Sequence, residues 1–200
     1  MSRAQVQATV ALVMLLPALA ATPRRDPALD LQPESRLWVA GTSTVRGFQC
    51  QAGAFDAKIE STGADAVAAV LAGEKVVSTI EVTVPAEKLD CRNGTMNEHM
   101  RKALKAKEFP TIVFRAASYD LARTSDSVAI TLNGSLTLGG VEKPITVTAQ
   151  AKPGPDGTLV VFGTREVRMT EFGLKPPSLM LGTMKVDEKL TVGFEVVLKN

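Results

Sequence analysis

From Val128 to Ala151 the chain alternates between apolar and polar side chains with hardly a break, and this constrains the fold more than any other feature. Val128, Ile130, Leu132, Leu136 and Leu138 fall on one face, and Ala129, Thr131, Asn133, Ser135 and Thr137 on the other. Gly139 to Pro144 reads as a turn. Ile145, Val147, Ala149 and Ala151 then resume the apolar face against Thr146, Thr148 and Gln150. Successive side chains of a strand point to opposite faces, so this is an antiparallel hairpin with one apolar and one wet side. A wet outer face argues against a strand buried between helix layers. Hairpins of this kind build a sandwich or a barrel, and a barrel can hold an apolar ligand.

Similar alternation marks strands at Leu37–Val45, Phe55–Ile59, Val76–Val84, Thr111–Tyr119, Thr158–Arg168 and Val186–Leu198. Adjacent Val160 and Val161 leave the inner face of the fifth of these ambiguous, and Ala64–Ala72 fits either a short helix or an irregular strand. One segment, about residues 95–106, has a helical pattern. Thr95 and Glu98 form a candidate capping box. Met96, Met100, Ala103 and Leu104 make an apolar stripe, and basic residues gather at the C-terminal end. The expected fold is all-β, an eight-stranded antiparallel barrel with one inserted amphipathic helix. Eight strands enclose an interior that side chains fill or that holds one small ligand. Small inward residues, among them Ala116, Gly134, Ala149 and Ala151, leave space there.

The first residues read as a signal peptide, 1–21, with Arg3 ahead of an apolar run, Val10–Leu16, that is too short to span a bilayer. Ala18-Leu19-Ala20 fits small-x-small cleavage, and no Cys follows the run directly, which argues against a lipid anchor. Residues 22–35, rich in Pro and charge, read as a flexible leader, and 36–200 as a single domain. The mature chain is expected in the periplasm or outside the cell. Export favours a bond between the two cysteines, Cys50 and Cys91; the alternative is two free thiols. The net charge of +2, from scattered basic residues, gives no reason to expect a nucleic-acid partner.

Three stretches resemble the YceI-like family of exported, lipocalin-shaped isoprenoid-binding proteins: Met96–Met100 running into Phe109-Pro110-Thr111-Ile112-Val113-Phe114, the segment Asn133–Ile145, and Phe172-Gly173-Leu174 after a strand. Together, in order and at this spacing, they cover the chain from about Leu37 to Lys199. The resemblance implies a lipocalin-like barrel with a long apolar tunnel capped near the helix. It implies a polyisoprenoid ligand, an isoprenoid quinone or polyprenol among the candidates. The Cys50/Cys91 pair looks like a subgroup feature. Many relatives carry a His near the first strand, where this chain has Gly41-Thr42-Ser43-Thr44.

Catalytic patterns are missing. The lone histidine, His99, excludes His-rich metal sites, and it is placed on the polar side of a surface helix. No catalytic residue, cofactor or metal site is expected. Binding is the leading expectation, with Val39, Phe55, Ile80, Val82, Ile112, Phe114, Leu136, Ile145, Val147, Val192 and Phe194 as candidate tunnel wall. Met96, Met100, Leu104 and the loop Leu179-Met180-Leu181 are candidates for the mouth. Methionine adapts to chains of varied shape. A transient membrane contact and a homodimer fit the same reading. Two others compete with it: a filled barrel with a structural or stress-protective role, and an isomerase or hydrolase using inward polar groups drawn from Ser43, Ser78, Glu188 and Arg165.

Overall fold

The computed structural model describes residues 27–179 and 183–200. The expected signal peptide, the leader up to residue 26, Met180 and Leu181 lie outside them. The elements are β1 Asp30–Leu31, β2 Arg36–Ser43, β3 Gly47–Ala52, β4 Asp56–Ser61, α1 Ala66–Leu71, β5 Val77–Pro85, β6 Leu89–Asp90, α2 Gly94–Ala103, β7 Thr111–Arg123, β8 Val128–Leu138, β9 Val141–Pro153, β10 Leu159–Arg168, β11 Ser178–Leu179 and β12 Met184–Lys199. Among the described residues nine strands have six residues or more, against the eight expected. The additional one is β3, the return arm of a hairpin with β2. Ser43 tightens that turn, since its Oγ donates to the Arg46 carbonyl (2.8 Å) and accepts from the Arg46 N–H (3.1 Å).

The fold is all-β. One antiparallel sheet runs β4-β5-β7-β8-β9-β10-β12-β2-β3-β6 and curls around an apolar interior. In the β8–β9 hairpin Leu132 lies opposite Val147, Ile130 opposite Ala149 and Val128 opposite Ala151, so the apolar faces coincide. On β10, Leu159, Val161 and Val167 face inward. Val160 is buried on the other face, close to Gly154 in the loop that precedes β10. That outer cover is why both valines are apolar.

Hydrogen bonding does not close the wall completely, because no ladder joins β3 to β4. One end of this seam is spanned by residues expected in the flexible leader. Ala28 bridges Glu60 of β4, while Asp30 and Leu31 pair with Lys199 and Leu198 of β12. Leu29 between them is buried at 2% exposure. Burying an aliphatic side chain of this size stabilises by about 1.5–3 kcal/mol, which holds the segment down.

The ambiguous Ala-rich stretch is helical. Asp65 caps α1 by accepting from the Ala68 N–H, and Ala66, Val67 and Val70 turn into the core with Val128, Ala151, Leu159 and Leu198. Asn200 adds a polar tie, accepting from the Val67 N–H and donating to Asp65, both at 3.2 Å. This end of the barrel is plugged.

A second core, of Val84, Leu89, Leu104, Leu138, Val167, Met169, Phe172 and Leu174, lies towards the other end. Gly139 and Gly140 turn the β8–β9 hairpin with φ of 56° and 79°, a conformation that favours glycine at both positions. The Phe109 ring covers Gly140 and the Leu174 side chain covers Gly139 so closely that neither position has room for a Cβ. The three stretches that carry the family resemblance therefore converge on one hairpin tip. Gly134, expected to leave internal space, has a different role. It faces a bulge in β7 between Ala116 and Ser118, where a Cβ would strike the Arg115 carbonyl.

Candidate functional site

The curled sheet encloses a cavity of about 600 Å³ that runs from Val70 of α1 to Met96 of α2 and Met184 of β12. That is within the ~300–1,000 Å³ of typical small-molecule sites. The barrel is hollow rather than filled. Every long strand contributes to the wall. Val39 comes from β2, Ile80 and Val82 from β5, Ile112 and Phe114 from β7, and Leu136 from β8. Ile145 and Val147 come from β9, Val192 and Phe194 from β12, and Phe55 from the link into β4. All the candidate wall residues thus lie around one space, because each occupies the inward parity of its strand.

The sequence reading missed other parts of the wall. Phe48 and Cys50 enter from β3, Val70 from α1, and Cys91 from the segment between β6 and α2. Phe48 and Cys50 do alternate with Gln49 and Gln51, but the run is short and only weakly apolar. Cys50 and Cys91 are joined by a disulfide. Cys50 is 1% exposed, so the bond forms part of the lining rather than a surface staple.

The mouth is formed by the β2–β3 turn and α2, with Pro177 and Met184 beside them. Val45, 66% exposed, is an unusual apolar side chain in so open a position, and it lines the rim with Arg46, Pro177 and Met184. Met96, Met100 and Leu104 all face the cavity. Leu104 is also buried in the second core, which makes it a fixed part of the wall. Leu179 pairs through its backbone with Met184. His99 is not on a solvated polar face, for it lines the mouth between the two methionines.

Helix α2 starts earlier than expected. Its cap is Asn93, whose side chain accepts from the Met96 N–H at 3.0 Å, so Thr95 lies inside the first turn and the Thr95/Glu98 capping box does not form. Asn is at least as good a cap as Thr. A tie at the helix start sets its position against β6. Asn97 donates to the Asp90 carboxylate and accepts from the Cys91 N–H, both at 2.7 Å, and the Arg92 N–H donates to Asp90 at 2.9 Å.

The Asn97 bond, then the Arg92 N–H, hold the Asp90 carboxyl below its usual range. A depressed carboxylate stabilises the fold above its unfolded value and loses that contribution as pH falls through the folded one. The melting temperature of wild type is therefore expected to exceed that of Asp90→Asn at pH 7. The gap should close from about pH 4 downward. A gap that persists unchanged at pH 2 would show that this carboxylate plays no such part.

The polar candidates for catalysis do not come together. Ser43 lies at the mouth and Arg165 on the wall; Ser78 and Glu188 do not line the cavity. Glu188 instead takes Arg168 at 2.7 Å and Thr170 at 2.8 Å. Among the described residues no cluster of His, Cys, Asp or Glu could hold a metal ion. Among the described residues the charged or chargeable side chains on the lining, apart from Tyr119, are Arg46, His99 and Arg165, with no carboxylate among them.

Comparison with known proteins gives this architecture its place. UPF0312 proteins of Shewanella baltica strains are 31% identical over 111 residues, covering 52% of this chain and 56% of theirs, so the chain spans little more than half of their length in the match. BcnA of Burkholderia cenocepacia has the same fold, with a TM-score of 0.66 at 16% identity over 84% of this chain and 99% of that one. So does a domain of Saccharophagus degradans described as polyisoprenoid binding and implicated in plant cell wall breakdown, with a TM-score of 0.62 at 11% identity over 86% and 97%. The YceI-like domain model matches residues 32–198, and the chain belongs to the YceI-like family.

Proposed function

We propose that this protein is an exported lipid-binding protein, not an enzyme, and that it holds one isoprenoid chain along the barrel axis for carriage or storage. The observation that carries this reading is the continuous apolar cavity of about 600 Å³ from α1 to the mouth. A prenyl chain offers hydrocarbon alone, and burying it needs only apolar area, at roughly 25 cal/mol per Å². The polyisoprenoid-binding description of the Saccharophagus domain supports the same ligand class. Exposed Val45 at the rim gives the mouth an apolar lip suited to taking a chain from a lipid surface. The Cys50–Cys91 bond fits an oxidising compartment.

The test is native mass spectrometry of the protein purified from its own cell envelope without detergent, followed by organic extraction. A discrete adduct that extracts as a prenyl quinone or polyprenol is expected. A clean unliganded mass, with no uptake of added ubiquinone or polyprenol, would overturn the proposal.

A further inference from the structure

Between β9 and β10 the hydrogen-bond ladder of the barrel wall has a slot. Strands β9 and β10 pair only between Ala149–Pro153 and Leu159–Gly163. Beyond Gly163, β10 stays paired with β12 as far as Arg168, and β9 stays paired with β8 as far as Val141. Between the two, no ladder bonds cross. The edges that face each other there, residues 141–148 and 164–168, carry N–H and C=O groups that this pairing leaves unused.

Arg165 sits at that slot. It has the inward parity of Leu159, Val161 and Val167 and lines the cavity, while remaining exposed. Three other strand arginines hold carboxylates: Arg36 holds Glu195 at 2.6 Å, Arg115 holds Glu81 at 2.9 Å and Arg168 holds Glu188 at 2.7 Å, while Arg123 at the end of β7 lies off the cavity lining. Arg165 has neither an ion pair nor a hydrogen bond among the described residues, and the lining supplies no carboxylate to meet it. A guanidinium that borders apolar wall and solvent keeps its head in water until an anion arrives. Its planar fork then matches phosphate or carboxylate oxygens two at a time.

We infer that Arg165 anchors an anionic head group, a phosphate or a carboxylate, of an amphiphile whose hydrocarbon chain fills the cavity. This rests on the isoprenoid-chain reading and extends it from neutral quinones and polyprenols to acidic-headed relatives of the same chain. The head lies in the β9–β10 slot rather than at the Val45 rim.

The experiment measures binding of geranylgeraniol, geranylgeranyl monophosphate and geranylgeranoic acid, which share one chain, to delipidated wild type, Arg165→Gln, Arg165→Lys and, as a control at an exposed arginine off the lining, Arg123→Gln. Wild type is expected to hold an acidic ligand at least roughly tenfold tighter than the alcohol, as a charged hydrogen-bonded contact implies. The tighter of the two acids identifies the head. Arg165→Gln should bind all three alike, Arg165→Lys should keep part of the preference, and Arg123→Gln should keep all of it. Melting temperatures should not change, since Arg165 holds no partner. Equal binding of acid and alcohol by wild type overturns the inference and leaves the chain reading standing. So does a preference that survives in Arg165→Gln or disappears in Arg123→Gln. No uptake of any of the three removes the chain reading and this inference with it.

Discussion

The double variant Cys50→Ala/Cys91→Ala is expected to unfold about 4 kcal/mol more easily than the oxidised wild type, with a melting temperature lower by roughly 10 °C. The bond closes a loop with a sequence separation of 41, and in the chain-entropy treatment a loop of that size restricts the unfolded ensemble by this amount. The folded state should respond as well. Beyond β2, strand β3 has only the two-pair ladder Gln51–Asp90 and Ala52–Leu89 to join it to β6. The disulfide reinforces that ladder, and the Cys91 sulfur lies 3.7 Å from the Met100 sulfur on the helix that frames the mouth. Amide exchange in α2 should therefore accelerate more than exchange in β8 and β9. Chemical denaturation of wild type with and without excess reductant checks the magnitude. A difference below about 1 kcal/mol would mean that the reduced chain retains enough structure to make the crosslink redundant.

The largest effect on binding is expected from Ala57→Trp. Ala57 lies on β4 opposite Val82, beside the seam in the wall, and faces the cavity. An indole there enters the space the lipid chain would occupy. Uptake of a prenyl lipid should fall by at least about tenfold, the equivalent of 1.4 kcal/mol. The melting temperature should move little, because the ring meets void rather than packed neighbours. In a tightly filled core the same substitution would cost about 1–3 kcal/mol. Unchanged uptake would place the ligand elsewhere, and a large stability loss without any lipid to displace would argue for a filled interior.

The features legible in the sequence were those with a regular period and two contrasting faces. Val128–Ala151 reads directly as a hairpin, and the parity rule assigned wall residues from Val39 to Phe194 to one side. The adjacent Val160 and Val161 leave the parity of Arg165 open in the sequence, and the structure places it inward with Val167. Three things hid from that reasoning. Strand β3 is short and mixes Phe48 and Cys50 with two glutamines, so its alternation is faint. Leu29 gives no periodic signal, and only the long-range pairing of residues 28–31 shows that the Pro-rich approach becomes part of the sheet. The slot beside Arg165 depends on where the β9–β10 ladder stops, which pairing of distant strands decides. Thr95 and Asn93 are both capping residue types two positions apart, and the fold gives the role to Asn93.

One consequence of the fold concerns handling rather than binding. Asp30 pairs with Lys199, and Asn200 reaches back to α1, so both ends of the described chain emerge at the plugged pole. Strand β12 begins near Ser43 at the rim and ends beside that plug. A sensor chip, dye or fusion partner attached at either end therefore leaves the opening free to meet vesicles in solution. For the same reason a short peptide could join residue 200 to residue 27, giving a circularly permuted barrel reopened at the Pro153–Gly157 loop with the lipid cavity undisturbed.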